Sequence, residues 1–203
     1  MNELAEIIKS IFESRYLKRV ERSGTSLFLG NEIQESVVEH SFFTCLWALV
    51  ISHLNPSLDL SKLLTMCLIH DLEEVRIGDL NQINRSYFTQ DPEIKAFSDM
   101  WKRSQLGKKL TGIHKERHAV STPESQAAYD ADVLSELILE KEYLEKGVKE
   151  AKEWIEFTIR RLKTKEGKKI AAEINRHHLA EWWEEAKNAI RKRHGLKPVS
   201  YRK

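Results

Sequence analysis

The sequence has few of the residues that interrupt helices or cross-link a chain. Its 203 residues include 8 glycines and 4 prolines, which disfavours a fold built from many tight turns and favours long helices. Its two cysteines, Cys45 and Cys67, both lie within apolar helical patterns. We interpret them as reduced core residues of a cytoplasmic protein, and a disulfide or a cysteine metal site is the less favoured alternative.

An excess of charge of one sign is also lacking. The 33 basic and 31 acidic side chains leave a net charge of +2, so no strong overall field attracts nucleic acid or a membrane surface. The N-terminal sequence MNELAEIIKS contains early acidic residues and matches neither a signal peptide nor an anchor. No apolar run reaches the length that spans a bilayer. We therefore expect neither a nucleic-acid nor a membrane partner.

Helical patterns occupy most of the chain. We predict an all-α, single-domain helical bundle over residues 1–195, followed by a basic tail at 196–203. The core of this domain is expected at about residues 15–145, and the C-terminal helices at 148–192, as two amphipathic segments. Irregular segments are expected at 14–34, 79–92 and 107–122, with a polar helix at roughly 93–106.

Several helices have recognisable ends. Ser36 and Glu39 have the spacing of a capping box, and the helix that follows is apolar almost all round, as a core helix is. The next predicted helix runs from Lys62 to about Val75 and ends near Gly78. A long helix opens at Thr122-Pro123-Glu124.

Metal-type ligands lie inside these apolar helices. His40 follows the capping box, His70 and Asp71 follow an apolar run, and Asp132 sits between two apolar residues. A buried carboxylate needs a cation, a hydrogen-bond network or a raised pKa. Two imidazoles and two carboxylates form a suitable ligand set for Mn, Fe, Co, Ni or Zn.

A simpler alternative exists for each of these residues. A single histidine on an apolar helix is usually a core residue, and a His-Asp pair can arise by chance. The surroundings favour a site, because Glu74 shares the predicted helical face of His70 and Asp71 and Asp79 follows the helix end. The basic residues at 107–118 and Arg85 are interpreted as solvated rather than as ligands of an anion.

Three segments, in this order and spacing, resemble the HD-domain superfamily of metal-dependent phosphohydrolases. They are ESVVEHS at residues 35–41, HDLEEVRIGDL at 70–80 and ADVL at 131–134. The likeness is greatest to the 5′-deoxynucleotidase branch, which includes oxetanocin-type archaeal proteins, and it covers about two-thirds of the chain. The resemblance implies an all-helical fold, one divalent cation (Mn, Co, Ni, Fe, Zn or Mg), hydrolysis of a phosphomonoester and a homodimer.

The resemblance also implies roles for particular residues. The metal ligands would be His40, His70, Asp71 and Asp132, rather than the near neighbour Asp130. Glu74 would handle the attacking water or the leaving-group proton, and Asp79 would act with it as a catalytic residue that contacts the sugar hydroxyl.

Two further residues are assigned to the substrate by the same resemblance. Arg22 would contact the phosphate, and Glu35 is the acidic residue before the first ligand. Relatives have a tryptophan just after this arginine, whereas here the run is Arg22-Ser23-Gly24-Thr25. Because that tryptophan helps to shape the sugar pocket, its absence leaves the preference for deoxyribose open.

We expect hydrolysis of nucleoside 5′-monophosphates, preferably deoxy, to nucleoside and phosphate. A nucleoside triphosphate or phosphodiester hydrolase on the same scaffold is an alternative, and a non-catalytic, metal-stabilised binding protein is another. Trp182 and Trp183 lie on a late amphipathic helix, where they pack in the core or form a dimer contact.

Overall fold

The computed structural model describes residues 2–24, 35–89 and 91–200. Within these residues the fold is all-α, as predicted, and an isolated antiparallel bridge joins Glu21 to Ser36. The elements in chain order are α1 (Glu3–Ser14), a 3-10 helix (Arg15–Arg19), α2 (Val37–Leu54), α3 (Leu60–Ile69), α4 (Glu74–Ile77), α5 (Gln82–Arg85), α6 (Pro92–Trp101), α7 (Gln105–Ala119), α8 (Pro123–Glu145), α9 (Ala151–Arg161), α10 (Lys165–Arg176) and α11 (Glu181–Arg193).

The long helix α8 lies at the centre of the bundle. It packs against α2, α3, α7, α9 and α10, and fully buried apolar side chains lie along its length: Ala127, Ala128, Ala131, Val133, Leu134 and Leu137. A small-residue stretch followed by larger apolar ones lets neighbouring helices approach on several sides. The predicted cap at Thr122 is present, since its side chain accepts from the Ser125 amide.

Helix α2 begins as the sequence predicts. The Ser36 hydroxyl accepts from the Glu39 amide, and the Glu39 carboxylate accepts from the Ser36 amide, which completes the capping box. This fixed start positions His40 in the first turn, where its ring is fully buried. The two cysteines are free, as expected.

The predicted helix from Lys62 to Val75 is too long. Helix α3 is capped by Asp59 and ends at Ile69, residues 70–73 form a turn, and the short α4 follows. The His70 ring Nδ1 lies 2.7 Å from the Cys67 carbonyl oxygen, so a side chain bonds this carbonyl just as the helix ends. His70 and Asp71 therefore lie on a turn and not on a continuous helical face.

The loop predicted at 107–122 is wrong. Residues Gln105–Ala119 form α7, capped by the Ser104 hydroxyl. Gly107, which suggested a loop, is required by close packing: a Cβ there would lie 1.8 Å from the Trp101 carbonyl oxygen. The helix predicted at 93–106 is also shorter than expected. Its counterpart α6 stops at Trp101, and α7 begins after the Ser104 cap.

The C-terminal segment predicted at 167–192 is two helices, α10 and α11, separated at residues 177–180. The described residues of α11 include no buried ones. Trp182 and Trp183 are 68% and 50% exposed, so they are not core residues of this chain.

Helix α2 has the length and composition of a membrane-spanning helix, with 18 residues and a mean hydropathy of 1.4. The sequence predicted no such segment, because no uninterrupted apolar run reaches the length that spans a bilayer. Length and composition alone do not separate a spanning helix from a core helix. Here α2 carries the buried His40 and packs on α3 and α8.

Candidate metal centre

Three elements bring the four predicted metal ligands together. The first turn of α2 provides His40, the turn after α3 provides His70 and Asp71, and the middle of α8 provides Asp132. Helix α8 contacts both α2 and α3, so residues 92 positions apart in sequence meet at one point.

The four donor atoms form a ring of alternating nitrogen and oxygen. His40 Nε2 lies 3.0 Å from Asp132 Oδ1 and 3.9 Å from Asp71 Oδ2. His70 Nε2 lies 3.1 Å from Asp71 Oδ2 and 3.9 Å from Asp132 Oδ1. Ligands at about 2.1 Å from a metal lie roughly 3 Å or more from their neighbours, so this ring has the size that a divalent cation requires.

The histidine ring orientations fit a metal as well. Because Nδ1 of His70 bonds the Cys67 carbonyl, it is Nε2 that carries the lone pair when the ring is neutral, and this buried atom forms no hydrogen bond among the described residues. A bond from the far nitrogen to a backbone carbonyl is the usual support for a histidine ligand. Burial lowers the pKa of His40, which keeps its ring neutral, as a ligand must be.

Arg22 and Asp79 flank the ring of donors. Arg22 Nη1 lies 3.4 Å from both Asp71 Oδ2 and Asp79 Oδ1. The Ser23 amide donates to Asp79 Oδ2 at 2.5 Å, and its hydroxyl donates to the Asp79 carbonyl. The arginine, which precedes the undescribed residues 25–34, is thereby held beside the predicted metal ligands.

Glu74 is a buried carboxyl group with an unsatisfied oxygen. It is 1% exposed, and its Oε2 has no hydrogen-bond partner among the described residues. Burial, and then the charges of Asp71 and Asp79, raise the pKa of Glu74 to about 12 in the metal-free protein. A cation beside Asp71 would offset that repulsion, so this carboxyl is placed to exchange a proton.

Glu35 lies on the other side of His40, with its Oε2 3.8 Å from His40 Nδ1. Burial raises the pKa of Glu35 to about 7. Both atoms of this contact lack a hydrogen-bond partner among the described residues. Glu35 is thus placed to orient the His40 ring, and the structure puts it next to a ligand and not at the ring of donors itself.

Asp130 and Asp132 are separated by their surroundings. Asp130 is fully buried and accepts from the Lys163 amide, the Thr164 amide and the Thr164 hydroxyl, so it holds the start of α10. Gly167 must lack a side chain here, since a Cβ would lie 2.3 Å from the Asp130 carboxylate. Asp132 faces the ring of donors instead.

The surroundings of Arg117 differ most from those predicted. It was interpreted as one of a solvated basic group, yet it is 8% exposed, and its Nη2 donates to Asp132 Oδ2 at 2.7 Å. Its Nε is buried without a partner among the described residues. No pattern in the sequence marks this contact, because it depends on how α7 packs against α8.

These features define a class: an all-helical protein in which two histidines and two aspartates meet in a ring of donors suited to a metal, with a buried carboxyl group beside it. The HD-domain family model matches residues 14–175, which is most of the chain. The chain belongs to the HD-domain family. No curated protein matches it significantly.

Solved structures share the fold along nearly their full length. A conserved hypothetical protein from Pyrococcus furiosus is 28% identical, with a TM-score of 0.71, over 84% of this chain and 99% of that one. A predicted metal-dependent phosphohydrolase from Magnetospirillum magnetotacticum is 20% identical, with a TM-score of 0.67, over 85% and 93%. An HD-domain phosphohydrolase from Listeria innocua is 18% identical, with a TM-score of 0.65, over 80% and 84%.

The family and the ring of donors together confirm the expectation of a divalent metal cofactor. They also support the coarser form of the predicted activity, that of a metal-dependent HD-domain phosphohydrolase.

Proposed function

We propose that the protein hydrolyses nucleoside 5′-monophosphates, preferably deoxynucleotides, to nucleoside and orthophosphate. The observation that carries this proposal is Glu74, a buried carboxyl with an unpartnered oxygen beside a complete metal-ligand ring. A structural metal site has no need of such a group next to it. The missing tryptophan after Arg22 makes the sugar the least constrained part of the substrate.

The ligands would be His40, His70, Asp71 and Asp132. A divalent cation there supplies a bound water of lowered pKa and polarises a phosphoryl oxygen. Arg22 would turn from the carboxylates of Asp71 and Asp79 toward the phosphate, which its forked guanidinium binds through charge-assisted hydrogen bonds.

The carboxyl group of Glu74 would carry the proton of the reaction. The water oxygen forms a bond to phosphorus while the bond to the sugar 5′-oxygen breaks, and Glu74 passes the water's proton to the leaving oxygen. Asp79 would accept a hydrogen bond from a sugar hydroxyl. The products are an uncharged nucleoside and orthophosphate.

A phosphate-release screen tests this proposal. Ribo- and deoxynucleoside monophosphates are each incubated with protein loaded with Mn, Co, Ni, Fe, Mg or Zn. We expect orthophosphate release from monophosphates, faster with deoxyribose. Protein that holds metal but releases no phosphate from any monophosphate, while attacking another phosphoester, would overturn the proposal.

A second candidate, a nucleoside triphosphate hydrolase, is favoured by a cationic group beside the site. Arg117, Arg161 and Lys163 each lie 5.5–5.9 Å from the centre of the Tyr129 ring. Such a group suits additional phosphates. Product analysis separates the candidates: orthophosphate and nucleoside for the first, and pyrophosphate or triphosphate for the second. An opened diester would indicate the phosphodiesterase alternative.

We also propose that the protein is a single-domain cytoplasmic homodimer. Large apolar side chains are exposed along α2: Val38, Phe42, Phe43, Leu46, Leu49, Val50 and Leu54. An apolar helix surface of this extent in a soluble protein favours a protein interface.

A further inference from the structure

A second group of metal-type donors lies behind the turn that carries His70 and Asp71. It consists of Glu73, His114 and His118, and one donor atom from each lies within 4.8 Å of the others. None of these three residues was assigned a role by the sequence analysis or by the catalytic proposal.

The local structure explains why these residues meet. His114 and His118 are four residues apart on α7, so they share one helical face, and their ring centroids are 4.5 Å apart. Glu73 is the last residue of the turn at 70–73. The turn therefore directs Asp71 toward the ring of donors and Glu73 toward α7.

The contacts in this group are those of a polar cluster in the protein interior. His114 Nε2 lies 3.1 Å from Glu73 Oε2, and these residues are 0% and 1% exposed. Nδ1 of His114 is buried without a hydrogen-bond partner among the described residues. The ion pair that Glu73 makes there is with a histidine and not with Lys or Arg.

The cluster reaches the surface on the His118 side. His118 Nδ1 lies 3.5 Å from Asp91 Oδ2 and 3.7 Å from Glu93 Oε2, and Asp91 is exposed. Glu93 is neutralised by Arg85, at 2.6 Å. The Asp91 carboxylate thus places a negative charge on the surface side of the cluster. On the inner side, the Glu73 carboxylate has no Lys or Arg ion-pair partner among the described residues.

We propose that Glu73, His114 and His118 bind a second divalent cation, separate from the catalytic one. Two imidazoles and one carboxylate form a set that suits Zn²⁺, with a fourth position for water. Because Glu73 is two residues from Asp71, a cation here fastens the turn at 70–73 to α7 and so stabilises the positions of the catalytic ligands.

Metal stoichiometry in a two-by-two set of variants tests the proposal. Full-length protein is stripped with chelator, loaded with Zn²⁺, desalted and measured by elemental analysis. We expect about two equivalents of Zn²⁺ in the wild type, about one in Asp132→Ala, about one in His118→Ala and close to none in the double variant. Co²⁺ loading of Asp132→Ala should give the visible absorption of a site with nitrogen ligands.

A matched control excludes binding at the protein surface. His177 contacts Glu173 and Glu181 at 3.0 and 2.7 Å and is exposed, so His177→Ala removes a surface chelate and should retain both equivalents. If His118→Ala does not fold, Glu73→Gln keeps the side-chain shape and removes the anionic ligand. Equal zinc content in Asp132→Ala with and without the His118 or Glu73 change would overturn the proposal, whether or not the protein hydrolyses nucleotides.

Discussion

Asp130 and Asp132 show how two identical side chains on one helix acquire different tasks. Asp130 accepts three hydrogen bonds from the start of α10, whereas Asp132 shares its oxygens between His40 and Arg117. We predict that Asp130→Ala lowers the free energy of unfolding by roughly 3 kcal/mol, because three partly buried donors lose their acceptor. Metal content should be unchanged.

The paired variant Asp132→Ala should have the opposite effects. Its metal content at the catalytic centre falls, and the start of α10 is undisturbed. Urea unfolding and elemental analysis of both variants give the comparison. Retention of catalytic-site metal in Asp132→Ala, or its loss in Asp130→Ala, would contradict our assignment.

The role of Glu74 can be tested by a substitution that preserves the shape of its side chain. Glutamine has the shape of the protonated acid, so burial should cost the variant no more than it costs the wild type. We predict that Glu74→Gln lowers kcat roughly 10²- to 10⁴-fold, with bound metal and folding retained. Glu142→Gln, at a partly exposed carboxylate on α8, is the control. Equal turnover in Glu74→Gln and wild type would remove Glu74 from the mechanism and favour a non-catalytic metal protein.

Among the individual site residues, those that lie within apolar helical patterns could be predicted from the sequence. His40 and Asp132 are conspicuous there because a polar group surrounded by apolar residues needs a partner. Arg117 and Glu73 are not, since each lies in a charged stretch that is typical of a solvated surface. Their burial is created by packing between helices far apart in sequence.

At the scale of helices and turns, caps were the reliable signals. Ser36 and Thr122 each open a predicted helix by accepting a hydrogen bond from a nearby amide, which depends on local sequence alone. Helix α7 was missed because Gly107 suggests a loop, and the contact that requires glycine is with α6. The early end of α3 was missed as well, because it depends on the His70 ring, whose Nδ1 bonds the Cys67 carbonyl.

The contact between α8 and α9 should make stability depend on pH. Glu140 on α8 is 3% exposed and accepts from the Thr158 hydroxyl of α9 at 2.9 Å. Burial, and then Glu136, raise the pKa of Glu140 to about 8 from 4.5. The folded state therefore holds this proton more tightly, so the free energy of unfolding falls as the pH rises from about 4.5 to about 8.

Glu140→Gln should remove this dependence. We predict equal stability at pH 4 and a variant that is more stable at pH 9 by on the order of 5 kcal/mol, measured by urea unfolding. Glu142→Gln serves as the control and should follow the wild type at both pH values. A Glu140→Gln protein with the wild-type pH profile would show that the carboxyl is not the cause.

Among the described residues, large apolar side chains are exposed on more than one helix. Besides those of α2, four on the amphipathic helix α1 are exposed: Leu4, Ile8, Ile11 and Phe12. The same pattern that correctly predicts a helix cannot say whether its apolar face meets the core or a second chain. Trp182 and Trp183 raise the same ambiguity.

The oligomeric state should respond to a charge placed on α2. Phe42 is 59% exposed, and Phe42→Glu would bury a charge at a dimer interface there. We predict a shift from dimer to monomer in sedimentation, with helical content unchanged. Phe157→Glu on α9, which alters an aromatic residue of similar exposure, is the control, and the Trp182/Trp183 double alanine variant tests the other surface. A Phe42→Glu protein that stays dimeric excludes this face.

The bridge between Glu21 and Ser36 has a consequence for how such an enzyme can diversify. The Arg22 amide donates to the Glu35 carbonyl and the Val37 amide to the Val20 carbonyl, both at 2.9 Å, so the backbone before residue 25 and the backbone after residue 34 are paired with each other. Each doubling of a segment held at its ends adds only about 0.6 kcal/mol of closure cost. Changes in chain length between Gly24 and Glu35 should therefore be tolerated over evolutionary time, because Arg22 and His40 keep their places.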